Sequence, residues 1–332
     1  MKHLLAALTV SAAATLPAAS VQAETFTSFY AFGDSLSDDG KLGLPEPYFE
    51  GQFSSGPVWS EIIGKRFEDH KLHYQNLALG GATAGDANTN SNGDLSDGEY
   101  PTAALPFANF GSQISLFSTF ALTAITQDNP LISVLFGAND IFQGGNPIDA
   151  ANAVADGIKQ IADLAPKFDD FLVSTLPELG DPVGSSGFTI AGAFNATLDA
   201  RLMGIEFDGI NIIDVNQNAF QSEFFPTLPS LGVTNFASPC LVDATATTPA
   251  SDCTIIGFEA DGVTPIRDLS IADTFYLIDS VHPSGPVQQG FADFAIAALG
   301  SGIPAPIPLP AGLPMLLAGL GAFAVVRRKP AA

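Results

Sequence analysis

The sequence predicts an α/β protein, a three-layer α/β/α sandwich on a mostly parallel central sheet. Short β-rich runs alternate along the chain with stretches of helical periodicity, the signature of strands joined by crossover helices. Some of these runs are almost wholly apolar. Leu131-Ile132-Ser133-Val134-Leu135-Phe136 is such a run, and it suits a strand covered by helices on both faces. At 332 residues and 46% hydrophobic content, the chain can fill one large core or two modest ones.

In chain order, the β-rich runs place strands at Ser28–Phe32, Leu72–Asn76, Leu131–Phe136, Phe171–Thr175 and Ile210–Val215. Helical patterns fall between and after them, at Pro57–Phe67, Gln113–Ile125, Ala150–Ala165, Ala191–Leu202 and Pro286–Leu299. Two stretches break the rhythm, Asp86–Pro106 and Phe225–Ala272, and read as insertions over the top edge of the sheet. No internal repeat is present.

Composition narrows the function. Between Glu24 and Val326 stand 8 basic residues against all 35 acidic ones, a net charge of −27 for that stretch. Such a surface repels phosphate backbones and anionic lipid headgroups, so nucleic acid is not an expected partner. The 2 cysteines are too few for a disulfide-framework miniprotein or a four-thiolate zinc site.

The ends carry addresses. Lys2, the apolar run from Leu4 to Val10 and Val21-Gln22-Ala23 have the order of a secretory signal, so residues 1–23 are expected to be removed and the domain to occupy 24–300. Residues 301–332 form a tail. Ile303 to Val326 is uncharged, is interrupted by Pro304, Pro306, Pro308, Pro310 and Pro314, and runs into Arg327, Arg328 and Lys329. Its clean helical part, Met315 to Val326, is short beside the ~20 residues a membrane span needs, and counting from Leu309 makes only a marginal crossing. The basic cluster would stay cytoplasmic and leave the domain outside. In oxidising surroundings Cys240 and Cys253 are expected to pair, stabilising the fold by about 3 kcal/mol in the chain-entropy model.

Ligands of parallel sheets bind beyond the carboxyl ends of the strands. The first strand runs into Gly33-Asp34-Ser35-Leu36, with Ser35 in a turn and its hydroxyl exposed. The second runs into Gly80-Gly81-Ala82, whose small residues let backbone N–H groups approach a ligand. The third ends in Gly137-Ala138-Asn139-Asp140, which offers an amide donor. Asp279-Ser280-Val281-His282-Pro283 comes near the end of the domain. Acyl transfer needs these parts: a hydroxyl nucleophile, an imidazole to take its proton, a carboxylate to hold the imidazole, and donors for the oxyanion. Of the 4 histidines, His3 lies in the signal, and His70 and His73 lie in a polar stretch at the start of the second strand. Only His282 has an acid three residues earlier in a strand-end turn.

These four blocks, in this order over Phe32 to Ser284, resemble the GDSL lipases or SGNH hydrolases. The resemblance implies a flavodoxin-like form of the sandwich and Ser35 as nucleophile. It implies Asp279 and His282 as its partners, with the Ser35 and Gly81 N–H groups and the Asn139 amide as oxyanion donors. Gly80 is the alternative to Gly81 if the alignment slips by one. Lys41 departs from the family, which often has Asn there, outside the chemistry. No G-x-S-x-G is present, which argues against the α/β-hydrolase elbow. The chain-long spacing resembles the lecithinase and haemolysin-like branch, implying lipid or fatty-acyl esters. Ile307-Pro308-Leu309-Pro310-Ala311, with the apolar helix and arginines after it, resembles the V-P-L-P-A variant of PEP-CTERM sorting tails. That likeness implies a sorting protease as partner and transient membrane retention; a permanent anchor is the plainer alternative.

The expected function is therefore a secreted or surface-tethered ester hydrolase that requires no cofactor. Deacetylation of an acylated glycan is the enzymatic alternative, and a non-catalytic adhesion protein the alternative of another class. A further constellation, Asn88, Asn90, Asn92, Ser96 and Glu99, has the oxygen rhythm of an EF-hand calcium loop, with Gly93 at the sixth position. Its first position is Asn, not Asp, and no clear amphipathic helix flanks it. A solvated loop rich in turn residues is the competing reading.

Overall fold

The computed structural model describes residues 25–88, 108–124, 129–177, 187–242 and 251–305. The expected signal at 1–23, most of the sorting tail, and Asn90, Asn92, Ser96 and Glu99 lie outside them. Among the described residues, no helix is long and apolar enough to cross a membrane.

Five parallel strands form the central sheet: β1 (Ser28–Gly33), β2 (His73–Asn76), β3 (Pro130–Leu135), β4 (Asp170–Ser174) and β5 (Asn211–Val215). Their order is β2-β1-β3-β4-β5. Each lies within two residues of the run that predicts it. Every residue of β1 and β3 is buried, and the period of two sorts them between two cores. Tyr30, Phe32, Ile132, Val134, Phe171 and Val173 point to one face, while Phe29, Ala31, Leu131, Leu135 and Leu172 point to the other.

The first core is covered by α2 (Phe110–Ala124), α4 (Pro147–Ala162) and α5 (Gly187–Phe207), the second by α1 (Trp59–Asp69), α6 (Gln217–Phe224) and α7 (Gly285–Leu299). Between β3 and α4 stands the short α3 (Ala138–Phe142). Asn146 caps α4 by accepting from the Ile148 N–H, and Pro147 occupies the first turn, where its missing donor costs nothing. Trp59 meets Phe291 edge to face at 5.2 Å between centroids, joining α1 to α7. Each fully buried side chain of this kind contributes roughly 1.5–3 kcal/mol by leaving water.

The second interruption is built from a 3₁₀ turn at Phe225–Leu231 and two antiparallel ribbons. They are β6 (Leu241–Val242) with β7 (Ser251–Asp252), and β8 (Ile255–Phe258) with β9 (Pro265–Arg267). Cys240 and Cys253 form a disulfide between them. The insertion is fastened just ahead of Asp279: the Cys240 and Leu241 N–H groups donate to the carbonyls of Leu277 and Ile278, at 3.1 and 2.7 Å. At the opposite end of the sheet, the Phe26 N–H donates to the Gly302 carbonyl at 2.7 Å, and Ile303 is buried in the second core.

Candidate active site

β1 and β3 are neighbours, yet the chain leaves β1 for β2 on the other side, so strand order reverses beside the end of β1. In open parallel sheets the ligand crevice lies at such a switch point. Gly33 ends β1 there, its N–H and carbonyl both held by the Gln113 amide at 3.1 and 2.9 Å. A side chain at Gly33 would meet Ser37 Oγ at 2.9 Å and the Leu135 carbonyl at 3.0 Å. The chain then turns sharply, with the Ser37 and Asp38 N–H groups both donating to the Asp34 carbonyl at 3.0 Å. Trp59 Nε1, Ser60 Oγ and Asn76 Nδ2 all donate to Ser37 and hold the turn from below. Ser35 stands on this turn.

His282 arrives from the loop before α7, 247 positions away, and its Nε2 lies 2.7 Å from Ser35 Oγ. Its Nδ1 lies 2.8 and 2.7 Å from the two oxygens of Asp279. A carboxylate accepts only, so Nδ1 carries the ring proton and Nε2 is free to accept from Ser35. All three side chains are nearly shielded from solvent, with Ser35 the most open at 7%. Phe53 packs on the imidazole at 4.6 Å between centroids.

Asp279 is strongly held. Its Oδ1 accepts from the N–H groups of Val281 and His282, at 3.0 and 2.8 Å, and its Oδ2 from the Tyr48 hydroxyl at 2.7 Å. Burial pushes its pKa up. The charge of His282 and this set of donors outweigh burial together, leaving the group below the usual carboxylate range.

The predicted oxyanion donors meet the same turn. Gly81 has φ +76°, a conformation glycine adopts without strain. The N–H of Gly80 is already taken by Asp38 Oδ2 at 2.8 Å, whereas the N–H groups of Ser35 and Gly81 have no acceptor among the described residues. Asn139 stands at the start of α3 and gives one amide hydrogen to the Ala82 carbonyl at 3.0 Å, which leaves the other unused. Two carboxylates clamp the Gly80–Gly85 loop at its ends: Asp38 at Gly80, and Asp140 at the Ala84 and Gly85 N–H groups, 2.7 and 2.9 Å away.

The other predicted groups stand apart from this cluster. His70 is exposed and bonded to the Arg66 carbonyl, and His73 is exposed beside Tyr30. Asn88 spends its amide on the carbonyls of Gly81 and Ala108, at 3.1 and 2.7 Å. Among the described residues, no group of three or more His, Cys, Asp or Glu side chains could hold a metal ion. Sequence reasoning missed Tyr48 and Phe53. Both lie in an irregular loop whose only hint is its aromatic residues, and their partners are more than 225 positions away.

Fold and site together define an α/β sandwich with a serine, histidine and aspartate cluster at its topological switch point. The chain belongs to the GDSL-like lipase/acylhydrolase family, whose match spans residues 29–293. It is 28% identical over 250 residues to a thermolabile hemolysin of Vibrio parahaemolyticus, covering 67% of this chain and 53% of that one. A shorter match of 88 residues, 46% identical and covering 24% of each chain, is to a phosphatidylcholine-sterol acyltransferase of Aeromonas hydrophila. The chain thus spans about half the length of the first of these curated relatives and a quarter of the second. Among solved structures, a GDSL-like lipase from Parabacteroides merdae aligns over 84% of this chain and 97% of its own, at 14% identity and a TM-score of 0.45.

Proposed function

We propose that this chain hydrolyses carboxylic esters through an acyl-enzyme on Ser35. The observation that carries the reading is the unbroken line from Ser35 Oγ through the His282 ring to Asp279, with contacts of 2.7 to 2.8 Å. His282 takes the Ser35 proton as Oγ attacks the ester carbonyl, then delivers it to the leaving alcohol. Water, deprotonated by the same ring, releases the acid. Asp279 fixes the tautomer and stabilises the imidazolium. The N–H groups of Ser35 and Gly81 and the free hydrogen of Asn139 receive the developing oxyanion. Gly81 is assigned over Gly80 because the Gly80 N–H already has a partner. No step calls for a cofactor.

The substrate class we favour is a fatty-acyl or phospholipid ester with a neutral or zwitterionic headgroup. The names of the hemolysin and acyltransferase relatives support a lipid, and the −27 charge between Glu24 and Val326 disfavours an anionic one. We also infer export by residues 1–23 and processing of the 301–332 tail by a sorting protease, on the sequence pattern of the two ends.

Release of p-nitrophenol from acetyl through palmitoyl esters tests this, using the full chain beside its Ser35→Ala variant. Turnover in the parent that falls by about 10⁵ in the variant is expected, since removing the nucleophile disables the triad as a unit. Equal rates in two folded proteins would overturn the assignment. A best substrate of long chain length supports the lipid, and acceptance of acetyl alone would turn the reading to deacetylation.

A further inference from the structure

We propose that Tyr48 is a positioning residue of the Ser35–His282–Asp279 cluster, its hydroxyl tuning how strongly the Asp279 carboxylate attracts a proton on His282. This rests on the catalytic reading above and deepens it. The Tyr48 hydroxyl lies 2.7 Å from Asp279 Oδ2, an oxygen that also contacts His282 Nδ1 at 2.7 Å. A carboxylate offers no proton, so the tyrosine donates. Donation draws charge out of the carboxylate and fixes its plane, and both effects act on the imidazole in contact with it.

The hydroxyl is held in place independently of Asp279. Tyr48 packs against the small apolar cluster of Cys240, Ala272 and Ile278, and edge to face with Phe53 at 6.3 Å. Its loop closes on itself through the Phe49 N–H to the Ser54 carbonyl at 2.8 Å and the Leu44 N–H to the Gly51 carbonyl at 3.3 Å. Asp38 fixes the start of the loop by accepting from the Gly40 and Lys41 N–H groups, at 3.1 and 2.9 Å. Ring packing and hydroxyl are therefore separable: phenylalanine keeps the first and deletes the second.

Among the described residues, the charged groups that act on His282 include Asp279, in contact with it, and Asp34, which lies within electrostatic reach. Neither is changed by substitution at position 48. Without the tyrosine donor the carboxylate is a stronger base, and the imidazolium in contact with it is better stabilised. For Tyr48→Phe, the acid limb of kcat/KM should therefore move up by roughly half a pH unit. The plateau should fall about 3- to 10-fold in kcat with KM unchanged, because the lost contact steers proton transfer and not ester binding. A merely structural tyrosine would change thermal stability and leave the limb in place.

The measurement is the pH profile of p-nitrophenyl ester hydrolysis by the full chain for the parent, Tyr48→Phe and Ser35→Ala. The parent carrying 3-fluorotyrosine at position 48 completes the set, being almost isosteric and so certain to test a folded site. Its more acidic hydroxyl donates more strongly and should shift the limb downward, opposite to phenylalanine. Opposite shifts support the proposal. If Ser35→Ala is inactive and neither change at position 48 moves the limb, the role of Tyr48 is overturned while the nucleophile stands. If Ser35→Ala matches the parent, the catalytic reading fails and the role of Tyr48 with it.

Discussion

Asp34, next to Ser35 in the chain, should make the fold less stable as pH rises toward neutrality, and Asp34→Asn should remove that loss. Its side chain is 1% exposed; Oδ1 accepts from the Leu36 N–H at 3.1 Å, and Oδ2 has no partner among the described residues. Burial pushes its pKa up from 3.8 to about 7, against the pull of the Leu36 N–H and the charge of His282. A raised folded-state value means that the native protein keeps a proton the unfolded chain releases. The stabilisation is whole below the unfolded value and is lost as pH climbs through about 7. Three pK units at about 1.4 kcal/mol each put the loss on the order of 4 kcal/mol, accrued between about pH 4 and pH 7. Asparagine matches the neutral carboxyl in shape, retains an acceptor for Leu36 and does not ionise. Urea unfolding followed by the single tryptophan, the buried Trp59, should show the variant gaining on the parent steadily as pH rises. Parallel pH dependence in the two proteins would refute the reasoning.

Two further substitutions test the donor side of the site. Gly80→Ala places a Cβ 2.2 Å from Phe53 Cε2 and 3.0 Å from Leu42 Cδ1, so Phe53 must leave its place on His282. Thermal melts should show a loss of about 1–3 kcal/mol, the usual cost of overpacking, and kcat should drop with it. Asn139→Ala should lower kcat by about 10²–10³ in single-turnover ester hydrolysis, the usual effect of losing one oxyanion donor.

The sheet was legible because its strands are buried on both faces, which writes near-continuous apolar runs such as Leu131–Phe136 into the sequence. The long helices were legible from their period. The short α3 and α6 were not, since five to eight residues span too few turns to display one. Nor were the ribbons of the insertion, whose strands of two to four residues are set by a disulfide and local turns. At the site, each predicted residue sits in a block with glycine or an acid as local punctuation. Tyr48 also stands among such residues, in Glu46-Pro47-Tyr48-Phe49-Glu50-Gly51, but nothing local ties it to Asp279, because what places it is tertiary: Asp38 anchoring one end of its loop, and the Cys240 cluster receiving its ring. Only the folded chain shows that Asp38 gives one oxygen, and Asp140 both, to the loop bearing Gly81.

The Phe26–Gly302 hydrogen bond makes the two ends of the described domain neighbours at the amino edge of the sheet. The serine lies past the other end of β1, whose six residues at about 3.3 Å each set it roughly 20 Å away. The described domain therefore begins and ends at the edge of the sheet opposite Ser35. The same adjacency makes the domain a natural subject for circular permutation: a short peptide could link Gly302 to Phe26 and new ends be opened elsewhere, with the sheet order unchanged.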